Sequence, residues 1–302
     1  MSKPIFFMMC GLQGSGKSTQ AQRLAKEYDA SVFSSDALRI EMFNDVNEQS
    51  RNVELFKELH KRIKKCLKSG KSAVMDCTNI NSKRRRSFLQ ELNKINCERR
   101  CVVMATPYEQ CVKNNATRDR NVPKKAITKA YRHWNTPAMF EGWDSIEAVY
   151  WEGSENSRDI RTWLDEHMNY SQNTPYHKRS LGEHCLRVGS QFEEGTLLNY
   201  AGYLHDVGKP ATRSFINSKG ETTEIAHYYC HENAGAYDSL FFDYNGKASP
   251  LEVSLIINLH MKPYHCEKSD KIENLHNKYR KLWGKQLYNK VNKLHEADRM
   301  AH

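Results

Sequence analysis

Residues 4–19 read PIFFMMCGLQGSGKST: an apolar run, a glycine-rich loop, then helix-forming residues. No other stretch restricts the fold so tightly. Glycine lets a backbone curl until consecutive N–H groups face one anion, and the pattern G-x-x-x-x-G-K-[S/T] runs here from Gly11 to Ser18. Gly11, Gly14, Ser15 and Gly16 form the cradle, and Lys17 reaches the β- and γ-phosphates. The Ser18 hydroxyl holds Mg2+, with Thr19 beside it in the first helical turn. A strand must precede this loop and a helix must follow it, and both are present. The loop implies a nucleoside triphosphate and leaves the acceptor open.

Apolar runs and helical stretches alternate beyond the loop: ASVFSSDALRIEMF, KSAVMDCTN followed by SKRRRSFLQELNK, and RRCVVMATP followed by YEQCVKNNATRDR. Strands alternating with helices predict a parallel sheet with helices on both faces and ligands at the strands' carboxyl ends. Past residue 153 the strand pattern fades and amphipathic stretches such as SPLEVSLIINLH take over. The expected layout is an α/β P-loop domain over 1–152, a linker over 153–171 and an all-α domain over 172–302. Tryptophans at 134, 143, 151 and 163 surround the junction, where packing between domains is their expected role.

At 302 residues, 39% hydrophobic and 27% charged, the chain suits about two globular domains. No apolar run approaches the roughly 20 residues of a membrane span. The opening run is short and passes straight into the loop, so it reads as a buried strand, not a signal peptide. Nine scattered cysteines without a CxxC pair suit reduced thiols, hence a cytoplasmic protein. Residues 1–155 carry 27 Lys and Arg against 18 Asp and Glu, a net of +9 out of +10 for the whole chain. A basic first half suits a polyanionic partner or a well-solvated face, and charge alone does not choose.

In SSDALR, Asp36 and Arg39 stand three apart at a helix start. An N-terminal acid with an i,i+3 ion pair is a common structural device. At a strand tip beside a phosphate loop, the same carboxylate is placed to take a proton from a hydroxyl acceptor. GLQGSGKST, SSDALR, DCTNINSKRRR and CVKNNATRDRNVP together resemble the 5′-polynucleotide kinase family over residues 4–137. The resemblance implies that Lys17 and Ser18 hold ATP and Mg2+ and that Asp36 is the general base for a 5′-hydroxyl. Arg39 then contacts Asp36 or an acceptor phosphate, and Arg118 and Arg120 close over the ATP phosphates. Asp76, Thr78 and Asn79 shape the site or serve the fold. The basic run at 83–86 holds the acceptor strand or forms a solvated helix face. A small-metabolite or nucleoside kinase is the rival within this fold.

YLHDVGKPATR places His205 and Asp206 side by side, an imidazole and a carboxylate offered to one metal. His184, His231, His260 and Asp298 stand at other points of this half. The order H…HD…D resembles the HD phosphohydrolase superfamily. LHDVGKPATR with HENAGAY is most similar to the HD domain of bacterial CCA-adding tRNA nucleotidyltransferases, over 174–302. The resemblance implies a first divalent metal on His184, His205, Asp206 and Asp298, and a second near His231 and His260 bridged by Asp206. Imidazole with carboxylate suits Mn2+, Ni2+, Co2+ or Zn2+ better than Mg2+ alone. Lys209 and Arg213 become phosphate contacts, while His177, His227, His265 and His295 are left as bystanders.

A kinase for 5′-hydroxyl ends joined to a phosphoesterase for 2′,3′-cyclic, 2′- or 3′-phosphate ends would prepare RNA or DNA breaks for an RNA ligase. Nothing in the residues reads a 2′-hydroxyl. Two other functions fit parts of the pattern: a nucleotide-metabolism enzyme with small-molecule kinase and nucleotidase activities, and a nucleotide-sensing module without turnover. Intact ligand sets oppose the sensor.

Overall fold

The computed structural model describes residues 3–118 and 120–302. Two units emerge: Met1–Ile127 with Pro137–Trp151, and Thr128–Thr136 with Glu152–His302. In the first, strand β1 (Ile5–Cys10) is buried from Phe6 onward, as a central parallel strand covered on both faces must be. With β2 (Ser31–Ser34), β3 (Ala73–Asp76), β4 (Glu98–Ala105) and β5 (Ser145–Tyr150) it forms a parallel sheet of order β2-β3-β1-β4-β5.

The helices of this unit are α1 (Lys17–Glu27), α2 (Ser35–Phe43), α3 (Asn52–Lys68), α4 (Ser82–Glu91) and α5 (Tyr108–Ala116). A further helix, α6 (Lys124–Arg132), runs from the first unit into the second. Side chains alternate across a strand, so Phe6 and Phe7 report on opposite faces of the sheet. Phe7 packs with Ala21 and Leu24 of α1, and Phe6 meets Phe88 of α4 edge-on at 5.4 Å. Helices therefore cover both faces, as the alternating pattern predicts.

Two elements escaped the sequence reading. Helix α3 buries Leu55, Leu59, Ile63 and Leu67 at four-residue intervals, a stripe hidden among its lysines. Edge strand β5 carries Glu147 and has no buried position, so it lacks the apolar run that marks the other strands.

The second unit contains α7 (Ile160–His167), α8 (Leu181–Gly189), α9 (Leu197–Leu204), α10 (Lys209–Thr212), α11 (His231–Asp238), α12 (Pro250–Leu259), α13 (Met261–Glu267), α14 (Ile272–Trp283) and α15 (Lys285–Met300). It is mostly helical but not all-α. The antiparallel strands β6 (Ser214–Ile216) and β7 (Thr222–His227) form a hairpin, favoured by β-branched residues on either side of a turn at Gly220.

Residues 153–171 are not a free linker either. They contain α7, capped by the Asp159 side chain, with Trp163 and Leu164 buried and α8 as packing partner. Trp134 is fully buried in this unit, edge-on to Tyr237 at 5.0 Å. The neighbouring Thr136 hydroxyl lies 2.7 Å from that of Ser254. Trp143 belongs to the first unit, where its indole N–H donates to Glu141. Among the described residues no helix is long and apolar enough to cross a membrane.

Candidate active sites

The glycine-rich loop leaves β1 at Cys10 and becomes α1 at Lys17. Gly14 has φ +80°, and a Cβ there would come within 2.2 Å of the Cys111 carbonyl, so α5 presses on the loop where only glycine fits. Other bonds clamp the loop from three sides. Gly11 N–H donates to Thr78 O at 3.0 Å, the Thr106 hydroxyl to Ser15 O at 3.0 Å, and the Asn114 amide to Gly14 O at 2.9 Å. Helix geometry leaves the first N–H groups of α1 without intrahelical partners, and Ser18 and Thr19 are exposed there. This cradle fits a polyphosphate. The Lys17 ammonium donates to Leu12 O at 2.5 Å. Burial pushes it below its ordinary pKa, while Asp76 opposes the shift and the charge of Arg118 adds to it.

Strand β2 runs directly into α2, whose N-cap Ser34 accepts from Asp36 N–H at 3.3 Å. Ser34 pairs with Asp76 across β2 and β3, which puts Asp36 on the same carboxyl rim as Asp76. One Asp36 oxygen accepts from Arg39 at 3.1 Å, and the other from Arg120. Arg39 also donates to Asn52 Oδ1 at 2.9 Å, and Arg120 to Val46 O at 3.1 Å. Of the alternatives for Arg39, the contact with Asp36 is the one observed. Arg120, expected to close over the ATP phosphates, is seen holding the Asp36 carboxylate. Asp119, between the two arginines, lies outside the described residues.

Neither expectation for the basic run at 83–86 describes Arg85. Its side chain is sealed from solvent in a two-bonded pair with Glu141, at 2.7 and 2.6 Å. It also donates to Asn79 O at 2.8 Å. Asn79 has φ +48° and donates to Met9 O at 2.8 Å, so Arg85 braces the turn after β3.

The second constellation is assembled from five segments. Helix α8 supplies His184, the end of α9 leads into His205 and Asp206, and α11 begins with His231. His260 joins α12 to α13, and α15 carries Asp298. Glycines set the spacing. A Cβ on Gly202 would stand 2.7 Å from Gly189 Cα, and one on Gly208 would stand 2.2 Å from His231 O. Those close approaches bring His184 Nε2 to 3.1 Å from His205 Nε2 and His231 Nε2 to 3.2 Å from Asp206 Oδ1. Asp298 Oδ1 lies 3.0 Å from His184 Nε2.

The residues fit a divalent metal for a reason beyond proximity. The Nδ1 atoms of His205, His231 and His260 each meet a backbone carbonyl, of Gly202, Tyr228 and Ile257, at 2.8, 2.9 and 2.7 Å. A carbonyl only accepts, so each Nδ1 carries a proton and each ring is held with Nε2 facing the cluster. Carbonyl partners of this kind orient metal-binding histidines. His260 Nε2 is buried without a hydrogen-bond partner. The groups His184, His205, Asp206 and Asp206, His231, His260 each bring their ligand atoms within 4.8 Å of one another. Burial opposes charging of His205, but Asp206 and Asp298 outweigh it and raise the imidazole to about 10. Against its own burial, Asp206 is held well below the usual carboxylate range by Lys209 and His205.

Lys209 is not an open phosphate contact. It is buried and donates to Asp206 Oδ2, Gln172 Oε1 and His177 Nε2 at 2.7, 2.7 and 3.1 Å. Arg213 donates to Asn173 at 2.8 Å and lies over the rings of Tyr170 and Phe215. Two histidines outside the expected set belong with the cluster: His177, His184 and His302 form a third group within 4.8 Å. Neither His177 nor His302 carries a local motif, and only the chain's 13 histidines hinted at extra ligands. Asn52, which holds Arg39, was equally silent.

Residues 6–137 match the AAA domain family, and with the parallel sheet they form a P-loop kinase-like domain. Among curated proteins no relative matches the chain. Solved structures similar to part of it include Kti12 from Chaetomium thermophilum in complex with ADP-AlF3, at 15% identity. That match covers 50% of this chain and 91% of the other, with a TM-score of 0.42. The APS kinase CysC of Mycobacterium tuberculosis matches at 18% identity, 49% and 90% coverage, and a TM-score of 0.37. The Pnkp1/Rnl/Hen1 RNA repair complex matches at 22% identity and a TM-score of 0.38, covering 44% of each chain.

Proposed function

We propose that the chain heals both ends of a broken nucleic-acid strand, RNA above all, phosphorylating 5′-hydroxyls with ATP and hydrolysing 2′,3′-cyclic, 2′- or 3′-phosphates. The observation that carries this reading is two phosphoryl-transfer constellations on one chain. One is a phosphate loop with the paired carboxylate Asp36 on its rim. The other is a buried histidine–aspartate cluster whose rings are held with Nε2 inward.

In the kinase half, Lys17 and Ser18 hold the nucleotide phosphates and Mg2+, with Arg118 beside them. Asp36 accepts the proton of the attacking hydroxyl. Each of its oxygens accepts from one arginine and keeps a lone-pair site for the hydroxyl, and Arg120 is the more exposed of the two arginines. Arg39, anchored by Asn52, keeps the carboxylate oriented.

In the other half, His184, His205, Asp206 and Asp298 hold a divalent metal, and His231 and His260 with Asp206 hold a second. Bound there, such ions supply Lewis-acid activation of water and neutralise charge on a phosphoryl group. Lys209 fixes the orientation of Asp206.

The test is a single RNA oligomer bearing a 5′-hydroxyl and a 2′,3′-cyclic phosphate, incubated with ATP, Mg2+ and Mn2+ beside free nucleosides and nucleotides. Both ends of the oligomer are processed in preference to the monomers. Turnover confined to free nucleosides or nucleotides would instead establish a metabolic enzyme.

A further inference from the structure

Asp206, His231, His260 and Asp298 of the cluster line a cavity of about 680 Å³, within the roughly 300–1,000 Å³ of sites that enclose an organic ligand. A phosphate with its metal ions fills only part of such a space. Tyrosines line part of the remaining wall, beside Ile225, Ala226, Met261 and Glu267. Tyr229 and Tyr264 line the cavity and are 46% and 39% exposed, whereas Tyr200, Tyr237 and Tyr244 of the same unit are buried.

We infer that Tyr229 and Tyr264 form a ring-stacking subsite for the nucleobase of a terminal nucleotide whose phosphate lies on the cluster. The inference rests on the phosphoester-hydrolysis reading above and adds the class of group next to the scissile phosphate. Both rings are tied to ligands of the cluster. Tyr229 stands two residues before His231, across Cys230, whose φ of +64° turns the chain sharply into α11. Its ring lies parallel to that of His227, at 5.4 Å and 6°. His227 in turn meets the Thr223 hydroxyl at 3.2 Å, so the platform is braced from the hairpin. Tyr264 follows His260 by four residues on α13, which places both side chains on one helix face.

The surrounding charge suits a nucleotide. Lys268 lies over the Tyr264 ring at 4.2 Å, while Arg299, which lines the same cavity, is paired with Glu267 at 3.3 Å. Stacking of a base on an aromatic side chain contributes roughly 1–3 kcal/mol and tolerates any base. The subsite therefore selects a heterocycle without selecting a sequence.

The test is calorimetric binding of uridine 3′-monophosphate, glycerol 2-phosphate and inorganic phosphate to the full chain loaded with Mn2+. The nucleotide is expected to bind roughly five- to a hundredfold tighter than the ring-free ester. Tyr229→Ala and Tyr264→Ala each erode that preference while leaving phosphate affinity and the melting temperature unchanged, and Tyr229→Phe retains it. Equal binding of nucleotide and glycerol phosphate, or a preference that survives the double alanine variant, overturns the subsite. Hydrolysis of a cyclic-phosphate RNA end discriminates further. Ring preference without hydrolysis leaves the subsite standing and removes the end-healing reading, whereas hydrolysis without ring preference does the reverse.

Discussion

His231 Nε2 and Asp206 Oδ1 lie 3.2 Å apart. The Tyr228 carbonyl holds Nδ1 of the same ring at 2.9 Å, which keeps Nε2 facing the carboxylate. A divalent cation can take both atoms as ligands. Mn2+, Ni2+ or Zn2+ should raise the melting temperature of the full chain, by the equivalent of about 2.7 kcal/mol at a hundredfold excess over Kd. His184→Ala together with His231→Ala should abolish the shift. Identical melting curves with and without each metal would remove the assignment.

Asp298 separates the two activities. It is partly buried beside His184 and His205, so Asp298→Ala takes an anionic group from the cluster. We expect metal-dependent phosphoesterase activity to vanish under saturating Mn2+ while 5′ phosphorylation keeps most of its rate. Assaying both reactions on one preparation is the check, and a full phosphoesterase rate in the variant would contradict the ligand role.

Lys17 and Asp36 serve different steps. Lys17→Ala removes charge compensation from the transferring phosphoryl group and should weaken both ATP binding and transfer. Asp36→Ala should leave ATP binding intact and lower kcat by roughly 10²- to 10⁴-fold. A normal kcat in the Asp36 variant would dismiss it as the general base.

Arg85→Ala leaves Glu141 as an uncompensated buried charge and should destabilise the first unit by about 3–5 kcal/mol. Replacing both partners with apolar residues, Arg85→Met with Glu141→Leu, should recover much of that loss. Urea midpoints of the parent chain and the two variants measure it. Equal midpoints for the single and double variants would show that the bonds of Arg85 to the Asn79 turn matter more than the pair.

If the basic first unit binds a strand, oligonucleotides should be far better acceptors than nucleosides. Their use should weaken steeply between 50 and 200 mM salt as phosphate contacts release counterions. Equal use of both acceptors, indifferent to salt, would point to a small-molecule kinase.

The glycine-rich loop was legible because strand, loop and helix are contiguous and every position has a steric or electrostatic reason. Of the histidine–aspartate cluster, His205 and Asp206 were legible as neighbours, and His184, His231, His260 and Asp298 only through a resemblance, since their convergence depends on approaches at Gly202 and Gly208 that no local pattern announces. Arg85 was misread for a related reason. A burial pattern is visible along a chain, but a buried charge becomes intelligible only beside its distant partner, here 56 residues away. Helix α3 and strand β5 were missed because lysines and a glutamate mask their periodicity.

The assignment of Thr128–Thr136 to the second unit and of Pro137–Trp151 to the first has a consequence for synthesis and dissection. Translation delivers Trp134 before β5, so the later unit receives a core tryptophan while the earlier sheet still lacks its edge strand. A single proteolytic cut cannot release either unit whole. Cleavage after residue 127 strips the sheet of β5, and cleavage after residue 151 deprives the helical unit of Trp134. Fragments expressed separately from either boundary should be less stable than the same residues in the uncut chain, and recombining them should restore stability only as far as they reassociate.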